Sequence, residues 1–148
     1  QSPSSAASDV YKRQEYDNDN VEDLFMNKLN FDLHSSFQGL RNVKVSAHLY
    51  VKRDGTIIQF VPFNKCAWHA GESIFKGRKN CNEFSIGIEI QGKVDEEYTR
   101  EQYENLKKIV DALKKFFQID DVVAHSEISP ERKKDPGPLF DWSKLDES

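Results

Sequence analysis

Long apolar runs are missing from this sequence. Nothing in it approaches the roughly 18 apolar residues of a membrane-spanning helix, and its first residues lack the apolar core of a signal peptide. The sequence also lacks a large excess of one sign of charge, because 21 Lys and Arg nearly balance 25 Asp and Glu, which gives a net charge of −4. A sequence-independent nucleic-acid binder needs a clustered basic surface. We therefore expect no membrane and no nucleic-acid partner, and a small polar molecule is the more compatible ligand.

Cysteine is scarce as well. The two cysteines, Cys66 and Cys81, could form one disulfide bond, but they are too few for the framework that small secreted domains use. We expect free thiols and a reducing compartment. The 148 residues fit one domain with a single core.

The beginning of the chain has no regular pattern. The first 14 residues, QSPSSAASDVYKRQ, include no starting Met and show neither helical nor strand periodicity. They resemble the translated adapter sequence found at the ends of fragmentary reading frames, and a natural disordered tail is the alternative. We expect the folded domain to span residues 15–148.

Two regions carry the clearest strand signals. The stretch VKVSAHLYVKRDGTIIQFVPF predicts a hairpin with strands at about 45–52 and 56–61, joined through Asp54 and Gly55. The apolar stretch FSIGIEIQG, Phe84–Gly92, predicts a central strand.

Helical patterns lie on either side of these strands. A capping box at Thr99 and Gln102 opens a long predicted helix. The apolar face of this helix comprises Tyr103, Leu106, Val110, Leu113 and Phe117. Val21–Phe31 predicts a short helix, and VVAH predicts a short strand that ends at His125. Together these elements predict an α/β fold, a mixed β-sheet with flanking helices.

The segment AHSEISPERKKDPGP, residues 124–138, contains a candidate metal pair. His125 offers an imidazole and Asp135 a carboxylate, and Pro136 restricts the backbone of Asp135 to extended conformations. Zinc hydrolases take three protein ligands of these types and keep one position for water. The ten-residue spacing is that of a loop, so a structural histidine in a solvated loop is the alternative.

Two further charged residues are candidates for catalysis. Glu89 interrupts an apolar strand, so it either faces solvent or is buried with a raised pKa that suits a general base. Lys133 lies between the candidate metal ligands, where a lysine could stabilise an oxyanion. A solvated charge run that includes Lys134 is the alternative for this segment.

Three blocks of sequence together resemble a known family. AWHAG, NEFSIGIE and RKKDPGPLFDW, in this order and spacing, are similar to the zinc-dependent N-acetylmuramoyl-L-alanine amidases, whose fold is shared by peptidoglycan-recognition proteins. The similarity runs from about Val21 to Trp142. It is greatest to the bacterial cytoplasmic branch that acts on 1,6-anhydro-muramoyl peptides in cell-wall recycling. The resemblance implies a cytoplasmic, monomeric amidase with a muropeptide substrate.

The resemblance also implies a role for each motif residue. His125 and Asp135 match zinc ligands, Glu89 the catalytic acid/base, and Lys133 the lysine that stabilises the oxyanion. The implied substrate-binding residues are Trp68, in the groove, and Lys44, Asn80 and Arg78, near the stem-peptide carboxylates. Asn80 departs from the arginine usual in the family, and Arg78 is placed to compensate.

One expected ligand has no match. In the family the first zinc ligand is a histidine at the end of the first strand, in a stretch resembling VVHNIS, and nothing before Glu15 matches it. His34, His48 and His69 match positions that do not bind metal. We therefore expect the first strand to be missing and two of three zinc ligands to be present.

Two other classes of function remain open from the sequence. A domain of this fold without a full metal set would bind muropeptide without cleaving it. A thiol hydrolase built on Cys66 and His69 is the other alternative, although the Gly in NKCAWHAG indicates a loop there.

Overall fold

The computed structural model describes residues 45–146. The predictions made for residues 1–14, for a helix at Val21–Phe31, for His34 and for Lys44 lie outside this range, as does the question of the first strand.

The predicted hairpin is confirmed. Strand β1 (Leu49–Val51) pairs antiparallel with β2 (Ile57–Gln59). The turn between them needs a glycine, because Gly55 has a φ of 88°. The side chain of Asp54 accepts a hydrogen bond of 2.9 Å from the backbone N–H of Thr56, which closes the turn.

The sheet is mixed, as the sequence predicted. β1 lies in the middle of the described sheet, between β2 and a parallel strand at Ile88–Ile90. The sequence predicted a central strand at Phe84–Gly92. The observed strand is shorter and covers only Ile88–Ile90. Its two isoleucines, Ile88 and Ile90, pack against buried side chains of β1 and the long helix.

A small second ribbon precedes this parallel strand. β3 (Ile74–Phe75) pairs antiparallel with β4 (Arg78–Lys79), and a 3-10 helix follows at Cys81–Glu83. The parallel strand Ile88–Ile90 is therefore β5.

The long helix and its capping box are confirmed. Helix α1 covers Arg100–Phe116, and the Thr99 side chain accepts from the Gln102 backbone while the Gln102 side chain accepts from the Thr99 backbone. Of the predicted apolar face, Leu106 and Val110 are buried, whereas Phe117 lies beyond the helix. α1 thereby covers one face of the sheet.

The predicted strand at VVAH is wrong. Residues 122–124 form no strand, and after the extended Ala124 a short helix, α2 (His125–Ile128), begins at His125. The Glu127 carboxylate accepts a 3.0 Å hydrogen bond from the Ala124 N–H, so the backbone turns into a helix there. Helix α3 (Ser143–Asp146) packs against α1. None of the helices between residues 45 and 146 is long and apolar enough to cross a membrane.

Candidate active site

The two predicted metal ligands lie side by side. His125 Nδ1 is 3.1 Å from Asp135 Oδ2, although the residues are ten positions apart. The backbone brings them together, because the Ser126 N–H donates to the Asp135 carbonyl over 3.2 Å. The other ring nitrogen, His125 Nε2, is 3.0 Å from the carbonyl oxygen of Ala70.

The DPGP segment is held in place by the chain before α1. The Tyr98 hydroxyl donates a 2.9 Å hydrogen bond to the Pro136 carbonyl. Gly137 has a φ of 91°, and a Cβ added to it would lie 2.5 Å from the Val94 carbonyl oxygen. Only glycine fits this position, so the exit from Asp135 is rigidly packed.

The surroundings of His125 fit a cation. Its Nε2 faces a carbonyl and its Nδ1 faces a carboxylate, and both of these groups only accept hydrogen bonds. An imidazole with one N–H cannot donate to both, so a cation shared with Asp135 suits the remaining nitrogen. Ligand atoms on a tetrahedral zinc lie about 3.3 Å apart, close to the observed separation.

Asp135 is suited to hold positive charge. Its partial burial tends to raise its pKa, but the hydrogen bond from His125 and the charges of His125 and Lys133 outweigh burial and lower the pKa on balance. The carboxylate is therefore ionised at neutral pH. Within residues 45–146, no group of three or more His, Cys, Asp or Glu side chains is arranged to hold a metal ion.

Glu89 faces the same region from β5. It lies opposite Tyr50 in the parallel pairing of β1 and β5. Burial raises the pKa of Glu89 to about 7, and the neighbouring Asp135 carboxylate adds to this effect, while His125 and Lys133 oppose it. Of the two alternatives open from the sequence, the structure favours the second, because Glu89 is half-buried in the wall of a cavity and its pKa is raised.

Lys133 is buried, and Lys134 is exposed. The Lys133 ammonium lies close enough to Glu89 and Asp135 to lower the pKa of both carboxyl groups. A solvated charge run therefore describes Lys134 and not Lys133. A buried ammonium beside two carboxylates is available to stabilise a developing negative charge.

His69 also lines this region, which the sequence did not predict. Burial, together with the nearby charges of His48 and His125, lowers the pKa of His69 to about 3, so it is neutral at pH 7. Its Nε2 is 3.3 Å from the Ser85 hydroxyl. Gly87 makes room for the ring, because a Cβ there would lie 2.3 Å from His69 Cγ.

We expect Gly87→Ala to destabilise the protein, because the added methyl group forces the His69 ring or the β5 backbone to move. Overpacking of this kind typically costs about 1–3 kcal/mol. Urea unfolding of the two proteins measures the loss. Adding His69→Ala to the variant should recover part of it, since the ring is then gone, and a variant as stable as the parent would contradict the clash.

His48 has a structural environment. The Gly87 N–H donates to its Nδ1 over 3.0 Å, and its Nε2 lies 2.8 Å from the Lys65 carbonyl. Both ring nitrogens are thus used by the backbone.

Among residues 45–146, the Cys66 thiol bonds backbone carbonyls and no histidine. Both cysteines are free thiols, and the exposed Cys66 donates to the Asn82 carbonyl over 3.2 Å. In the described part of the chain no hydrogen bond joins Cys66 to the His69 ring, which contacts Ser85. This arrangement gives no support to the thiol-hydrolase alternative.

Three of the predicted substrate-binding residues, Trp68, Arg78 and Asn80, are described, and they lie outside this cluster. The Trp68 side chain is 51% exposed, while its backbone N–H donates to the Ser46 hydroxyl. Arg78 and Asn80 are exposed, and the Arg78 guanidinium stacks on the Phe84 ring at 4.0 Å. Asn80 has a positive φ of 61° where the 3-10 helix begins.

The side chains of Glu89, His125 and Asp135 line one cavity of about 370 Å³. Its lining includes the polar side chains of His69, Glu89, Tyr98, His125 and Asp135. The sequence motifs did not predict His69 or Tyr98 as part of this wall. Gly87, inside an otherwise apolar stretch, is the sequence signal that could have indicated a ring packed closely against the backbone.

The chain is similar to characterised proteins over most of its length. The family model for N-acetylmuramoyl-L-alanine amidase matches residues 2–138. The 1,6-anhydro-N-acetylmuramyl-L-alanine amidase AmpD of Enterobacter cloacae is 43% identical over 127 residues, which are 84% of this chain and 68% of that protein.

Solved structures agree with the sequence matches. The crystal structure of a selenomethionine AmpD derivative superposes with a TM-score of 0.88 at 41% identity, over 91% of this chain and 76% of that one. The complex of Escherichia coli AmiD with anhydro-N-acetylmuramic acid-L-Ala-D-gamma-Glu-L-Lys superposes with a TM-score of 0.67 at 33% identity, over 79% and 52%. From the family match and these identities, we conclude that the chain belongs to the N-acetylmuramoyl-L-alanine amidase family.

Proposed function

We propose that this chain hydrolyses the amide bond between 1,6-anhydro-N-acetylmuramic acid and L-alanine in muropeptides, as a zinc-dependent enzyme of cytoplasmic peptidoglycan recycling. The observation that carries the proposal is the convergence of Glu89, Lys133 and the His125–Asp135 pair. The substrates of the relatives named above give the proposal its chemistry. We further propose that the protein acts as a monomer.

His125 and Asp135 are the described residues that would hold the zinc ion, through Nδ1 and Oδ2. When bound there, zinc supplies a Lewis acid for the scissile carbonyl and makes the attacking water more acidic. The Ala70 carbonyl fixes the orientation of the His125 ring, because it accepts from Nε2 and leaves the Nδ1 lone pair for the metal.

Glu89 would act as the general base and then as the general acid. A carboxyl group with a pKa near 7 can take a proton from water and return it to the leaving amine. Its position on β5 fixes it beside the His125–Asp135 pair. The products would be an anhydro amino sugar and a stem peptide with a free L-alanine amine.

Lys133 would stabilise the negative charge that develops on the carbonyl oxygen. Its ammonium is already buried beside the reacting groups, so little rearrangement is needed when the charge forms. Trp68 is proposed to contact the sugar or peptide in the groove. Lys44, Arg78 and Asn80 are proposed to hold the stem-peptide carboxylates.

A second candidate function is a muropeptide-binding module without activity. It is favoured by one observation, that residues 45–146 offer two metal-binding side chains and no third in position. Zinc content and amide cleavage distinguish the two candidates.

The test is cleavage of a synthetic 1,6-anhydro-muramoyl tripeptide. We expect release of the stem peptide, loss of release after treatment with a zinc chelator, and recovery when zinc is restored, because the pair needs a cation. Liquid chromatography of the peptide product measures each step.

Two controls accompany this assay. A Cys66→Ala variant should keep the activity, which separates the metal mechanism from a thiol mechanism. Binding of the substrate with no cleavage at any zinc concentration would contradict the enzyme proposal and favour the binding module.

A further inference from the structure

Arg132 connects the candidate metal site to the loop that carries Ala70. Its Nη2 is 3.2 Å from the Ala70 carbonyl and also donates to the Glu72 carbonyl and to the Ser129 hydroxyl. The side chain is half-buried and crosses a sequence gap of 62 residues to reach Ala70. It thus holds the loop Ala70–Glu72 against the segment after α2.

The Ala70 carbonyl is shared by two donors. It accepts from Arg132 Nη2 and lies 3.0 Å from His125 Nε2. Ala70 is fully buried, so its carbonyl would lose these interactions without replacement by water. The position of this one oxygen therefore determines how the His125 ring is oriented.

From these contacts we infer that Arg132 is a positioning residue, which fixes the Ala70 carbonyl so that His125 presents Nδ1 toward Asp135. The inference rests on the function proposed above, in that the His125–Asp135 pair holds zinc. Arg132 acts through the backbone oxygen of Ala70.

A second residue, Ser129, makes it possible to distinguish this role from simple attachment of the loop. Ser129 also holds the loop, because its hydroxyl donates to the Glu72 carbonyl. Among the described residues the Ser129 hydroxyl donates to Glu72 and not to Ala70, whereas Arg132 donates to both carbonyls. Removing the Ser129 hydroxyl therefore takes away one bond to Glu72 and one of the three acceptors of Arg132 Nη2, but it leaves the Ala70 carbonyl with both donors.

The test measures zinc affinity of the full chain by competition with a chromophoric chelator. We expect Arg132→Met to weaken zinc binding by about 10–100-fold, the usual effect of losing a group that orients a metal ligand. Arg132→Lys, which keeps the positive charge and a donor, should recover most of the affinity. Ser129→Ala and Arg100→Met, an exposed arginine paired with Glu104, should bind zinc like the parent.

The outcomes separate the inference from the proposed function. Thermal unfolding of the metal-free variants verifies that each one is folded. A parent that binds no zinc would overturn both the metal pair and the role of Arg132. Equal zinc affinity of the parent and a folded Arg132→Met variant would overturn the role of Arg132 alone. The role of Arg132 would also be overturned if Arg132→Lys fails to recover zinc affinity, or if Ser129→Ala loses as much zinc affinity as Arg132→Met.

Discussion

Replacing His125 or Asp135 by alanine is expected to abolish both tight zinc binding and amide cleavage. The two side chains approach to 3.1 Å, and each removal leaves the other without the partner with which it would share a cation. Because metal binding needs several donors at once, the loss of one of two described donors should lower zinc affinity by orders of magnitude.

The measurement is zinc content after dialysis, together with stem-peptide release from the anhydro-muramoyl tripeptide. Asp111→Ala is a matched control, since Asp111 is an exposed carboxylate on α1 that pairs only at the surface with Lys107. This control should keep zinc and activity. Stoichiometric zinc and full turnover in His125→Ala or Asp135→Ala would show that the pair is not the metal site.

The sequence predicted the elements that depend on local patterns. The turn at Gly55 and the cap at Thr99 were predicted correctly, because each depends on residues within a few positions in the chain. The strand predicted at VVAH failed for the opposite reason. Its residues suit a strand, but the side chain of Glu127 bonds the backbone of Ala124 and starts a helix.

The candidate site was predictable only in part. Motif resemblance proposed His125, Asp135, Glu89 and Lys133 as candidates, and the described structure places these four near one another. It gave no indication of the Ala70 carbonyl, because a backbone oxygen leaves no mark on residue identity. Contacts across 55 residues, such as that from His125 to Ala70, depend on the whole fold.

Burial was the other property that the sequence left undecided. The charges of Lys133 and Lys134 are adjacent in the chain, yet one is buried beside Glu89 and the other is exposed. The Lys133 backbone N–H bonds the Ser129 carbonyl, so Lys133 belongs to the turn after α2 and not to a regular helix or strand whose period would indicate burial. A charge run in sequence is therefore no guide to solvation here.

Glu89→Gln is expected to keep zinc while losing about 10²–10⁴-fold in kcat, the usual effect of removing a general base. Glutamine has nearly the same shape, so β5 and the His125–Asp135 pair should be unchanged. Glu83→Gln, an exposed neighbour in the 3-10 helix, is the matched control and should retain both zinc and turnover.

The pH dependence of turnover tests the same assignment independently. A general base works as the carboxylate, and burial raises the pKa of Glu89 to about 7, so parent activity should rise with pH through an acidic limb. A bound dication favours the charged carboxylate and lowers its pKa, which places this limb at or below pH 7 in the zinc-loaded protein. The residual activity of Glu89→Gln should lack the limb, because glutamine does not titrate. If Glu89→Gln instead releases zinc, or keeps the limb with kcat unchanged, Glu89 supports the site and another group takes the proton.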